Sequence, residues 1–225
     1  MGGGVTKTVR VEVPAAVFRR PQAGDRRVVA DGRSRADAVL APIEPGVRLT
    51  GLTGGQFSLL DIVKACLRVS GPADVVVSTW TTGIRDAEAA QWLLENGAMR
   101  SFRLLTDTSF ATRQPAYCAA LLRRFGSGAV RVTRTHAKFA LVFNEAWALV
   151  CRSSMNLNLN TRFEQFDLDD DRGMLAFFLE HVAAMPVGFD DRRAALKSIA
   201  DFRGVEVEQV ELTDDDVIAQ ALRGL

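Results

Sequence analysis

The sequence predicts an α/β domain built on a mixed β-sheet flanked by helices. Helix-period apolar stripes alternate with short apolar runs through the middle of the chain. Those runs are continuously apolar rather than alternating, as in strands buried on both faces. A turn at Asn144-Glu145 separates two further runs, as a hairpin would. Helix–strand alternation followed by a hairpin gives a mixed sheet.

Each element has its own signal. Val9 to Val13 alternates like a short strand, and Pro21 to Arg35 reads as a polar loop. Phe57, Leu60, Ile62, Val63, Cys66 and Leu67 form a helical stripe stopped by Gly71-Pro72. Asp74 to Ser78 is a strand, and Arg85 to Asn96 a helix with Gly97 beyond its end. Phe102 to Asp107 is the next strand, and Ala116 to Phe125 a helix ended by Gly126. Val130 to Thr133, His136 to Phe143, Ala146 to Val150 and Phe163 to Leu168 follow as strands. Gly173 to Met185 is an apolar helix, with Asp169, Asp170 and Asp171 placed where carboxylates meet free N–H groups. A calcium loop over Asp167, Asp169 and Asp171 fails, because its glycine falls one position late and the closing glutamate is misplaced. Residues 1–50 are expected to form an N-terminal arm or extension, 51–188 the α/β domain, and 189–225 an acidic helical appendage. Trp92 is expected in the core, and Trp147 in the core or stacked on a base.

Composition narrows the function classes. A chain of 225 residues, 48% hydrophobic and 24% charged, is neither disordered nor disulfide-stapled. Cys66, Cys118 and Cys151 are too far apart for a metal knuckle, so reduced core thiols and a cytoplasmic location are expected. No run approaches 18 apolar residues, and no membrane contact is expected. The net charge of +1 conceals 22 basic against 12 acidic residues before Phe163, and 6 against 15 after it. A basic body of this kind fits a polyanion, and arginine outnumbers lysine 24 to 4, which suits phosphate recognition.

The chemistry concentrates after residue 135. Positions i and i+2 of a strand share a face, so His136 and Lys138 stand side by side. The hairpin returns the chain so that Ser154 and Asn156 come to the same end, with Glu164 on the next strand. A nucleophile, a cation, a hydroxyl, an amide and a carboxylate then converge, a set suited to a phosphodiester. With 2 histidines and 4 lysines, a chance H-x-K arises roughly 0.04 times per chain. Ser78 and Arg152 are candidate substrate-binding residues, and no metal or other cofactor is expected. His181 lacks a lysine partner and reads as structural.

These residues resemble the signature of the phospholipase D superfamily, H-x-K-x4-D followed by G-S-x-N and a glutamate. The strand from Val75 to Thr79, the helix through Leu94 and the strand from Phe102 to Asp107 resemble the family's preceding strand–helix–strand. The resemblance covers about residues 55 to 185 and implies a phospholipase D-like half-fold with terminal appendages. It implies that His136 forms a phosphohistidine, that Lys138, Ser154 and Asn156 cradle the phosphate, and that Glu164 orients a histidine. The family reaction uses two histidines and this chain has one motif, so the second is expected from another subunit of a homodimer.

Three departures bear on activity: Phe143 stands at the aspartate position, Ser153 replaces the glycine, and the hairpin between the two half-motifs is a few residues longer than in compact members. The first expectation is therefore a metal-independent phosphodiesterase, a nuclease acting on DNA more than RNA. The alternative is a degenerate member that binds DNA or a protein partner without cleavage, because phenylalanine cannot replace a hydrogen-bonding carboxylate. A third is a structural component whose appendages make the contacts.

Overall fold

A computed structural model describes residues 16–20, 27–29, 35–40, 43–46 and 48–188. In chain order these form β1 (Ala16–Arg20), β2 (Arg27–Val29), α1 (Ala36–Leu40), β3 (Arg48–Thr53), α2 (Leu59–Ser70), β4 (Ala73–Thr79), α3 (Ile84–Glu95) and β5 (Met99–Asp107). Then follow α4 (Phe110–Arg113), α5 (Pro115–Phe125), β6 (Val130–Thr133), β7 (Lys138–Phe143), β8 (Ala148–Ser153), β9 (Glu164–Asp170) and α6 (Arg172–Ala183). The strands make one mixed sheet in the order β2-β1-β3-β9-β8-β7-β4-β5-β6. β4, β5 and β6 are parallel, and every other pairing is antiparallel.

Alternation along the strands divides the core in two. Val75, Val77, Ala140, Val142, Leu149 and Cys151 point to the face covered by α1 to α5. Val76, Phe139, Leu141, Phe143, Ala148 and Val150 point to the other face, where Leu175, Leu179 and Val182 of α6 cover them. Burial on both faces explains the unbroken apolar runs in these central strands. All three cysteines are buried free thiols, and burial pushes Cys66 up to about 12. Among the described residues no helix is long and apolar enough to cross a membrane.

Several expectations change against this architecture. β1, β2 and β3 extend the sheet beyond β9 and α1 packs into the core, so the described residues of this stretch belong to the same sheet and core as the rest. The boundary at residue 50 falls inside β3. The polar loop expected over residues 21–35 contains β2. The strand expected at 9–13 and the appendage at 189–225 lie outside the described residues.

Asp169 and Asp170 belong to β9, and only Asp171 caps α6, accepting from Met174 N at 3.0 Å. The buried Asp169 instead pairs with Arg152 at 2.7 Å. Trp92 is 60% exposed, because Ala87, Ala90 and Leu93 make the buried stripe of α3 and position 92 falls outside it. Trp147 packs half-buried against the larger core cluster. α2 begins one residue after Ser58, whose hydroxyl and backbone N–H form a reciprocal capping box with Asp61.

Candidate active site

The parallel strands β4 and β5 end at Thr79 and Asp107 on the same edge of the sheet. Because β7 runs antiparallel to β4, with Ser78 opposite Phe139, its first residues meet that edge. The last residue of β8 is also there, since Ser153 pairs with Lys138. Strand ends and their loops therefore gather the candidate residues, as the crevices of α/β sheets commonly do.

His136 lies two residues before β7 rather than within it, and it is exposed. The extended approach still brings it to Lys138, whose Nζ is 2.9 Å from Nδ1 and 3.2 Å from Nε2. The ammonium donates to whichever ring nitrogen lacks a proton. Partial burial lowers the Lys138 pKa from 10.5, and the charge of Glu164 opposes that shift. Lysine and glutamate are thus electrostatic neighbours, although no ion pair joins them among the described residues.

Ser154 follows β8 directly, and its hydroxyl donates to Glu164 Oε2 at the start of β9. The same hydroxyl accepts from Gln165 N at 3.0 Å, which fixes its direction. Ser153 Oγ accepts from Met155 N at 2.9 Å and donates to Gln165 O at 2.8 Å, so it braces the turn that displays Ser154. Asn156 is half-buried, with its Oδ1 3.5 Å from Thr79 Oγ1, at the limit of a hydrogen bond. Thr79 Oγ1 also accepts from Leu157 N at 3.0 Å, tying the β8–β9 loop to the end of β4. Among the described residues nothing accepts from Asn156 Nδ2.

Gly55 lets another segment approach this loop. Its φ is 90°, and a Cβ there would stand 2.5 Å from Asn160 O and 2.6 Å from Thr161 Cα. Any side chain at 55 would displace the loop joining Asn156 to Glu164.

His136, Lys138, Ser154, Asn156 and Glu164 thus come to one sheet edge, while the two substrate-binding candidates do not join them. Ser78 is fully buried, and its hydroxyl donates to Ala137 O at 2.9 Å. It positions the segment carrying His136 from beneath. Arg152 is opposite Phe139 in register, so it projects to the α6 face, away from Lys138, and there it holds Asp169. His181, in α6, has its Nδ1 2.6 Å from Phe177 O and its ring 4.3 Å from the Phe177 ring, a local structural role. Glu164 contacts a serine rather than His136.

Two residues at this edge carry weak or no sequence signals. Trp80, just beyond β4, has its ring 5.5 Å from that of His136, and Arg113 places its Cζ 3.7 Å from the indole centroid. Trp80 lies past a strand's end, where α/β ligand sites gather. Arg113 comes from the end of α4, 33 residues away, and no local pattern marks it. No protein-family model and no curated protein matches this chain, which leaves the geometry of these residues as the ground for assigning a function.

Proposed function

We propose that this chain is a metal-independent phosphodiesterase of the phospholipase D type, acting as a nuclease through a phosphohistidine. The observation that carries the proposal is the contact between His136 and Lys138 at 2.9 Å, on the edge that also holds Ser154, Asn156 and Glu164. With the Lys138 ammonium turned from the imidazole to the phosphate, the unprotonated nitrogen of His136 attacks phosphorus, forming an N–P bond as the bond to the leaving oxygen breaks. Lys138 and the Asn156 amide hold the non-bridging oxygens, where negative charge concentrates. Ser154, fixed by Glu164 and Gln165 N, lines the same phosphate.

A proton must reach the leaving oxygen, and the resemblance implies a second histidine as the general acid. We assign that role to His136 of a second copy across a two-fold axis. Water then attacks phosphorus, the second imidazole takes its proton, and the N–P bond breaks to return both groups to their starting states. Leu159 and Phe163, 56% and 60% exposed on the loop between Asn156 and Glu164, supply an apolar rim for such an interface. The basic excess before Phe163 favours nucleic acid as the substrate, DNA more than RNA.

The binding-only alternative gains little from Phe143. Five residues beyond Lys138 along β7, about 16 Å at the strand rise, it is buried against α6. Asn144 anchors the turn instead: its Oδ1 accepts from Ala146 N and Trp147 N, both at 3.0 Å, and its Nδ2 donates to Ser70 O.

Cleavage of labelled DNA and RNA in excess EDTA, with sedimentation at micromolar concentration, tests the proposal. A chelator-resistant nuclease that sediments as a dimer is expected. Cleavage lost in EDTA and restored by magnesium, or a monomer that cuts, overturns it. If nucleic acid is retained in a salt-dependent manner but never cut, the binding role replaces it.

The pH profile supplies a second check. Deprotonation of Lys138 removes a phosphate-binding cation, so kcat/KM falls as pH rises through its pKa. Because burial lowers that pKa, the alkaline limb is expected below 10.5. Lys138→Arg should flatten the limb, and Glu164→Gln should move it to still lower pH by removing the opposing charge. A limb unaffected by either change excludes Lys138 as its source.

A further inference from the structure

Trp80 is held more firmly than a loop tryptophan needs for packing alone. The Thr79 hydroxyl donates to Thr81 O at 2.7 Å, and the Thr81 hydroxyl donates to Gln114 Oε1 at 2.8 Å. Arg113 Nη2 donates to the Trp80 carbonyl at 2.9 Å while its guanidinium carbon sits 3.7 Å from the indole centroid. Arg113 Nε donates to Ser109 Oγ at 2.8 Å, and the Ser109 hydroxyl in turn donates to Asp107. The other oxygen of Asp107 accepts from Thr135 N at 3.0 Å, next to His136. One carboxylate at the end of β5 therefore braces both the arginine on the indole and the segment bearing the imidazole.

We propose that Trp80 and Arg113 form a stacking subsite for an unpaired nucleobase beside the phosphate held at His136, which makes single-stranded nucleic acid the preferred substrate. The proposal rests on the phosphodiesterase reading and adds the substrate form. A phosphate clamp would point an arginine's donors outward, whereas Nε and Nη2 here turn to Ser109 and Trp80. What the pair presents is flat surface: the exposed Arg113 guanidinium lies on one face of the half-buried indole, and bases stack on guanidinium and aromatic planes alike. Bases inside a duplex have both faces covered by neighbours, so only an unstacked base reaches such a platform. The His136 ring, tilted 57° to the indole at 5.5 Å, places the platform next to the attacking group.

The test uses the full chain in fluorescence titrations with three probes: a six-nucleotide single strand, an abasic oligomer of equal length and charge, and a duplex. The single strand is expected to quench tryptophan emission and to bind about tenfold more tightly than the abasic oligomer, the scale of one stacked base. Trp80→Leu should abolish both the quench and the tenfold preference, while Trp80→Phe should keep most of the preference. Equal affinity of the wild type for base-bearing and abasic strands overturns the subsite without needing any variant. So does equal affinity for the duplex, or a quench that survives Trp80→Leu. Cleavage of the abasic oligomer separates the two claims. A protein that cuts it but shows no base preference keeps the phosphodiesterase and loses the subsite. One that prefers bases but cuts nothing keeps the subsite and loses the phosphodiesterase.

Discussion

His136→Ala is expected to lower the rate of phosphodiester cleavage by about 10,000-fold or more, because it removes the atom that bonds to phosphorus. The loss should be in kcat, with binding of a short oligonucleotide changed only slightly. Stability should hardly move: the imidazole is exposed, and its contacts are the Lys138 ammonium and the Trp80 ring. In the proposed dimer the substitution removes the nucleophile and the proton donor together, so no slow acid-assisted route remains. Single-turnover kinetics with a labelled strand, beside a thermal melt, checks both halves. A variant that unfolds, or one that still cuts within tenfold of wild type, contradicts the assignment.

Phe143→Asp is the second large effect, and here family pattern and structure predict opposite outcomes. The resemblance places an aspartate at this position, so restoring it would be expected to raise activity. The environment argues otherwise. Phe143 is 3% exposed and packs in a cluster with Phe139, Leu141, Leu175, Leu179 and Val182. A carboxylate there would replace an aromatic ring among apolar side chains, and the turn hydrogen bonds already belong to Asn144. The substitution should cost about 3 kcal/mol or more in urea unfolding, from lost apolar burial and the buried polar group together. Phe143→Leu should cost about 1 kcal/mol and leave cleavage unchanged. An aspartate variant as stable as wild type and more active would show that position 143 acts on the site.

The central architecture was legible because period and punctuation agreed there. Gly71, Gly97 and Gly126, all at positive φ, end helices where the apolar stripes stop. β4, β5 and β6 each follow one of these glycines within a few residues. The edge half of the sheet was not legible, because β3 is recruited by long-range pairing with β9, and β1 and β2 add on outside it. Gly- and Arg-rich segments carry little local preference for such pairing. The aspartates misled for a related reason: Asp169 is buried in a strand where Arg152 of β8 and Arg48 of β3 both pair with it, which no local pattern reveals.

At the site, the side-by-side placement of His136 and Lys138 followed from strand periodicity even though regular pairing begins at 138. Ser78 and Arg152 were misplaced because their roles depend on tertiary neighbours. One is sealed under Ala137, and the other is turned by register to the opposite face. Arg113 reaches Trp80 only because α4 sits beside the end of β4. Tertiary packing, not spacing, makes that pair.

The most direct test of the account is to trap the covalent intermediate. Protein mixed with a short single strand in EDTA would be quenched in alkali, where phosphohistidine survives, and its intact mass measured. The account predicts an adduct equal to the transferred nucleotidyl group, mapped to His136, released by acid and absent from His136→Ala. Products formed without any adduct, or an adduct on Ser154 or another residue, would contradict it.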